Sequence, residues 1–352
     1  MRFKKALYRA LPLANVATGR LGLRRDILSA ATEIDELQPQ ERETVPAPLA
    51  LPREFERATA SDGHSRLSDQ LEAARVREVC HAPVIRYRLR DCLVTAAGVE
   101  RPAARYQLRA QGLAELVTGP PEEIDAAFFA MDYVSQTYFG HYLRDACSRA
   151  LLAEPDETLL LADRPEWLHA APYRDALCLP AQAPLPAFVR RLTLCRDHGQ
   201  GSSKRARYGR MRRRLARELG LDAVPARDVF LRRGATGAAR VIANEDAVSD
   251  RLAAVGFRIV DVDGKSLSQL ARDLGDARRV VSMEGSHINH YHFLAPDGAA
   301  LLALIPADRF TLIHHGISAA FGRRFGYMVL DRCEAGYAVD MDRLLRTLDL
   351  FD

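Results

Sequence analysis

From Asp228 onward, short apolar or β-branched runs alternate with stretches of helical spacing, and this alternation constrains the fold more than any other feature of the chain. Strands are expected over 229–232, 257–262, 280–283, 300–305 and 327–330. Helices are expected over 244–255 (ended by Gly256), 267–274, from near Gly285, and over 341–350. Strands separated by helices of that length predict a parallel sheet wound on both faces, an α/β architecture. Within it, the stretch 278–290 (RRVVSMEGSHINH) runs from a strand through Gly285 into a helix. Such a turn points backbone N–H groups and a helix dipole at one spot, at the carboxyl end of a parallel strand. Phosphate or diphosphate is the usual occupant there.

Upstream the signals are weaker. Residues 1–75 carry the proline-rich stretch 45–52 and read as an arm or linker, with a basic amphipathic helix over 3–25 that suits a membrane surface or, equally, an ordinary docking helix. Short strands are expected over 84–89 and 92–95, a helix over 126–152, and strands over 158–163 and 192–195. The boundaries that follow are 1–75, 76–205 and 206–352. At 352 residues the chain is long enough for two domains.

Several function classes drop out. No apolar run approaches the roughly 18–20 residues that span a bilayer, and the basic start has neither an apolar core nor a cleavage site of a secretory signal. The six cysteines are scattered without a C-x-x-C pair, which places the chain in a reducing cytoplasm without disulfides or structural zinc. Net charge is +4, but Lys204 to Arg217 holds eight basic residues and no acidic one. That run is read either as a solvated helix face or as a surface for a polyanion or acidic lipid; no nucleic-acid-binding motif accompanies it.

Four groups of residues carry candidate chemistry. Asn244-Glu245-Asp246 opens a helix and complements its dipole. Arg232 and Arg233 end a strand at the same sheet edge as Gly285, where an arginine fork can grip a diphosphate. His287, His290 and His292 look like metal ligands, as does the acidic string Asp261-Val-Asp263, but neither completes a familiar ligand spacing. Neutral hydrogen-bonding roles are the reading preferred for the histidines, and no metal is assigned.

Taken in order, these residues resemble glycosyltransferase family 61. The resembling elements are Phe230-Leu-Arg232, Arg240-Val-Ile-Ala-Asn244-Glu245, Gly256-Phe257, Ser266-Leu-Ser-Gln269, Val280 to Phe293, and Pro296-Asp-Gly298, with His141-Tyr-Leu-Arg-Asp145 upstream. The chain departs from the family pattern at Glu284, where many members have His, and at Ser286 and His290. The resemblance implies a GT-B type fold, two Rossmann-like domains facing a cleft, with the nucleotide sugar on the carboxyl-terminal domain. It also implies an inverting, metal-independent transfer, most often from a UDP-sugar, to a surface polysaccharide or glycolipid, with no cofactor. Donor-binding candidates are then Arg232, Arg233, Asn244, Glu245, Gly285, Ser286, His287 and His290. An inverting reaction needs a base. His141, with Asp145 one helical turn on to orient its ring, is the first candidate, and Glu284 the second. The rival readings are a metal-dependent transferase or hydrolase using Asp261/Asp263 or the histidines, and a non-catalytic nucleotide-sugar-binding scaffold.

Overall fold

The computed structural model describes residues 8–162, 164, 166–181, 183–234 and 240–352. The chain forms two compact units. Unit 1 comprises 1–40 and 82–199; unit 2 comprises 41–81 and 200–352. Residues 1–75 are therefore not a free arm, because they are shared between the units. The reason is polar pairing as much as burial: Asn15 and Ile27 are fully buried in unit 1, and Glu54 is buried in unit 2.

Unit 1 is an eight-stranded mixed sheet: β1 (Arg25–Asp26), β2 (Glu33–Gln38), β3 (Val84–Thr95), β4 (Gly98–Arg101), β5 (Ala104–Gln107), β6 (Glu122–Phe129), β7 (Thr158–Leu160) and β8 (Ala187–Arg196). The order is β1-β5-β4-β3-β8-β6-β7, with β2 also on β3. β3 pairs antiparallel with β8 and β4, whereas β6 runs parallel to both β8 and β7. This is α/β, but its parallel pairing is confined to the β8-β6-β7 corner and the two-residue β1 on β5, while β3 is antiparallel to β2, β4 and β8, unlike a Rossmann-like unit. The expected helix over 126–152 is corrected too. Residues 122–129 are a strand, because Ala126–Phe129 is buried on both faces and a continuous buried run has no period. Helical turns follow at Tyr133–Thr137, Phe139–His141 and Cys147–Ala150, with a wider π turn at Tyr142–Ala146.

The expected helix over 3–25 is α1 (Leu11–Arg20), and residues 1–7 lie outside the described set. Asn15 pins it: its Nδ2 donates to Glu100 Oε2 (2.6 Å), Arg101 O (2.9 Å) and Ala104 O (3.2 Å).

Unit 2 contains the predicted alternation. Its strands are β9 (Arg227–Arg232), β10 (Arg258–Asp261), β11 (Ala277–Met283), β12 (Ala300–Pro306), β13 (Phe325–Cys333) and β14 (Gly336–Ala338), in the order β10-β9-β11-β12-β13-β14. The first five are parallel; β14 is antiparallel to β13. Besides the short helix Leu67–Ala73, its helices are α2 (Ser202–Leu219), α3 (Glu245–Ala254), α4 (Leu267–Leu274), α5 (Ile288–Leu294), α6 (Ile313–Ala320) and α7 (Met341–Leu348). Local sequence explains the ends. Ser266 and Gln269 form a reciprocal capping box on α4, and α2 stops at Gly220 in the left-handed conformation. The basic helix α2 is in part a packing face. Lys204, Arg207, Tyr208, Met211 and Leu215 are buried along one stripe, and Tyr208 stacks on Phe321 at 4.9 Å. Among the described residues no helix is long and apolar enough to cross a membrane.

Candidate functional site

The parallel strands of unit 2 follow the doubly wound order 2-1-3-4-5, so the connections leave β9 and β11 in opposite directions. A crevice opens at such a switch point, beyond the carboxyl ends of the two strands. β9 ends there in Arg232-Arg233-Gly234, and β11 in Met283-Glu284-Gly285.

Glu284 is the centre of the site. Its N–H completes the sheet on Leu304 O (2.8 Å), and its carboxylate lies 2.5 Å from Arg240, which also donates to the Glu284 carbonyl at 2.6 Å. Both side chains are under 10% exposed. Arg233 is buried beside them. Burial pulls its pKa down to about 10, Arg240 and Arg309 push the same way, and Glu284 opposes. Burial and Arg309 likewise lower Arg240, against Glu284. Arg240 thus pairs directly with Glu284, Arg233 is buried near both, and Arg309 adds a further positive charge felt by Arg233 and Arg240. Arg309, which closes the turn Ala307–Arg309 after β12, was not singled out by the sequence.

His287 joins this group from the other side. Its Nε2 is 2.8 Å from Ser282 Oγ, and Ser282 Oγ donates its proton to Leu231 O (2.8 Å). The hydroxyl must then accept from His287, which fixes the Nε2–H tautomer and leaves Nδ1 as an acceptor. Burial first, then Arg233, His290, His314 and Arg240, hold the imidazole pKa well below its ordinary value, so the ring is neutral at pH 7. A Cβ at Gly285 would lie 3.1 Å from that Nδ1 and 3.2 Å from Arg240 Nη1, which accounts for a residue without a side chain. The α5 ladder begins with Ile288 N–H to Gly285 O (3.1 Å), so α5 leaves the N–H groups of Gly285, Ser286 and His287 unused. Ser286 is the half-buried member of the turn.

Other candidates are placed differently. Arg232 does not share this cluster: its guanidinium lies among Asp261 (3.2 Å), Glu245 (3.4 Å) and Asp246 (3.6 Å), because consecutive strand residues point to opposite faces. Glu245 is spent on that pairing. Asn244 grips Val339 with both ends of its amide, Nδ2 to the carbonyl (2.9 Å) and Oδ1 from the N–H (3.0 Å), and so ties α3 to the chain beyond β14. The two acids of the 261–263 string diverge. Asp261 faces Arg232, and the Asp263 carboxylate lies against Gly234. His290 is buried, and His292 Nε2 is 3.1 Å from His314 Nδ1. Among the described residues no three His, Cys, Asp or Glu side chains converge as a metal ligand set.

In unit 1, His141 Nδ1 is 2.7 Å from Asp145 Oδ2, the pairing expected from their spacing. Arg144 adds what the spacing did not show: its Nη2 lies 2.7 Å from His141 Nε2 and 2.9 Å from Nδ1. With Nδ1–H directed at the carboxylate, Nε2 is the acceptor nitrogen, and the Arg144 guanidinium, close to both ring nitrogens, lies against the face of the imidazole. The π turn that places these three side chains is a form enriched at functional sites.

A cavity of about 200 Å³ also lies in unit 1, at the carboxyl ends of β6 and β8, lined by Asp26, Tyr106, Phe129, Asp132, Arg196 and His198 among others. Asp132 accepts from Arg149 (2.6 Å) and from Ser135 N–H (2.8 Å). Burial alone would raise its carboxyl; Arg149 and the Ser135 N–H more than offset this and hold it below the ordinary range. Burial pushes the Tyr106 phenol up to about 12. The cavity therefore offers a carboxylate acceptor, a phenol donor and an aromatic wall, a set suited to a small polyhydroxylated ligand.

Residues 139–301 match the family described as glycosyltransferase 61. The matched stretch includes His141, Asp145, Arg233, Arg240, Glu284 and Gly285; Arg309 and His314 lie beyond it. No curated protein matches the chain. Among solved structures, the metal-soaked Flv1 flavodiiron core from Synechocystis sp. PCC6803 is 9% identical, over 52% of this chain and 45% of its own, with a TM-score of 0.25. The chain thus spans under half of that protein's length, and the likeness carries no argument.

Proposed function

Since residues 139–301 place the chain in glycosyltransferase family 61, making it a glycosyltransferase, we propose that it moves a sugar from a nucleotide-sugar donor, a UDP-sugar, to a surface polysaccharide or glycolipid with inversion and without a metal. The single observation that carries the donor assignment is the pair of buried side chains Arg233 and Arg240, with the half-buried Arg309 adding positive charge, at the unit 2 switch point beside three backbone N–H groups of the turn 285–287. The proposed donor groups lie in unit 2, and His141 and the polar cavity in unit 1.

The chemistry then divides among named residues. An acceptor hydroxyl oxygen attacks the anomeric carbon while the bond to the diphosphate oxygen breaks on the opposite face. The hydroxyl proton passes to His141 Nε2, and Asp145 stabilises the imidazolium that results. The negative charge that grows on the leaving diphosphate meets the arginines and the turn N–H groups. Glu284 is not the base in this scheme. Bound to Arg240 at 2.5 Å, it sets the position of the cation.

The test is nucleotide binding and sugar transfer in chelator. UDP, without added metal, should raise the melting temperature by mass action. Arg233→Met and Arg309→Met should each weaken UDP about tenfold or more, whereas Arg232→Ala should leave it within about twofold. Loss of UDP binding in Arg232→Ala alone, or transfer that requires a divalent cation, would overturn the assignment.

A further inference from the structure

We propose that α1 and the adjoining loop 113–118 form a surface that lies on an anionic lipid bilayer. Leu13, Ala17 and Leu21 fall on one stripe of α1, at helical spacing, and all three are exposed; Leu21 is 71% exposed. The opposite side of the helix, with Leu11 and Asn15, packs inward. Asn15 decides that orientation. Its hydrogen bonds to Glu100, Arg101 and Ala104 are buried or part-buried, so the helix cannot roll to cover its leucines without leaving buried polar groups unpaired.

The loop extends the same patch. Leu13 N–H bonds to Leu116 O (3.2 Å), Thr118 N–H to Arg9 O (3.0 Å) and Arg9 Nε to Thr118 O (2.8 Å). These bonds set Leu113, 89% exposed, and the exposed Val117 beside the helix. Leu23 continues it after the helix. Fixed, adjoining leucines in water are what a soluble surface avoids.

The charge identifies the partner. Residues 8–25 contain Arg9, Arg20, Arg24 and Arg25, all exposed, and no acidic residue; the adjoining acids are paired, Glu115 of the loop with Arg109 and Asp26 with Arg196, so the patch keeps a positive excess. Leucines between arginines match a bilayer of anionic lipid, which offers apolar depth and negative charge in one layer. A soluble polyanion would use the arginines alone, and a second copy of the chain the leucines alone.

The experiment is flotation of the full chain with vesicles of phosphatidylcholine containing phosphatidylglycerol, against phosphatidylcholine alone. The chain should float with the first only, and high salt should release it. Leu21→Ser with Leu113→Ser, and separately Arg20→Glu with Arg24→Glu, should each lower partitioning about tenfold or more while circular dichroism stays unchanged. Equal binding to neutral vesicles, or none to either, overturns the proposal. So does binding that ignores the leucine pair, a leucine-dependent dimer in vesicle-free sedimentation, or loss of binding only on reversing Arg210 and Arg213 of α2.

Discussion

The Glu284–Arg240 pair is the place where stability and binding are most tightly joined, and a double-mutant cycle with Arg240→Met and Glu284→Gln probes it. The two side chains are 2.5 Å apart and 8–9% exposed. At an effective dielectric near 20, unit charges about 4 Å apart attract by roughly 4 kcal/mol. Arg240→Met strands a buried carboxylate and should cost unit 2 about 3–5 kcal/mol. Glu284→Gln leaves Arg240 without its paired carboxylate and close to Arg233, and should cost somewhat less. The double variant should recover part of the loss, for a coupling energy of about 2–3 kcal/mol. The single tryptophan, Trp167, belongs to unit 1, so intrinsic fluorescence follows the other unit. Native-state amide exchange in β9 and β11 is the proper readout. If both single variants cost under about 1 kcal/mol and the coupling is near zero, the pair behaves as a solvated surface bridge and the reasoning fails.

Three further outcomes are expected. His287 is neutral when folded, with its pKa held well below the unfolded value near 6.5, so the unfolded chain takes up the proton first. Its effect on stability is therefore flat above pH 6.5 and turns unfavourable below it. Wild type should lose about 1.4 kcal/mol by pH 5.5 relative to His287→Gln, and parallel pH curves for the two would refute this. Gly285→Ala should weaken UDP about tenfold in calorimetry, since the methyl crowds His287 Nδ1 and Arg240; unchanged affinity would show that the turn does not meet the nucleotide. His141→Ala should bind UDP normally and lose transfer by about a hundredfold or more, and near-normal turnover would take the base role from it.

Unit 2 was legible because each parallel strand is a short, doubly buried apolar run bounded by capped helices, so period, length and punctuation agree. Unit 1 was not, because β6 has the same apolar continuity as a buried helix and its partners β7 and β8 lie some 30 and 60 residues away in sequence. The strand–Gly–helix turn at Gly285 could be placed from the sequence, whereas the direction of Arg232, toward Asp261 and Glu245 and away from Arg233, could not. Nothing local tells which of two adjacent strand-end arginines turns toward a crevice, since alternation puts them on opposite faces. Arg240 entered only as part of a family pattern, and Arg309 not at all. Both are brought in by the switch-point topology rather than by spacing. His141 and Asp145 could be paired from four-residue separation, whereas the place of Arg144 against the ring depends on side-chain direction in the π turn.

The interleaving of the two units also sets a timetable for synthesis. Residues 41–81 belong to unit 2, yet their partners lie at the far end of the chain: Leu49 bonds into β13 at Phe325 and Tyr327, and Glu54 receives Val329 N–H (2.7 Å) and Arg343 (2.6 Å). At about 5–20 residues per second, this segment leaves the ribosome on the order of ten seconds to a minute before the strand it covers exists. Unit 1 can close around it by residue 199, so the segment spends that interval as a tethered loop with Glu54 still in water. The carboxylate is then taken up last, as β13 and α7 arrive. Cutting the chain at residue 200 to isolate unit 2 would remove this covering strip and leave the β13 edge open to pairing with other chains.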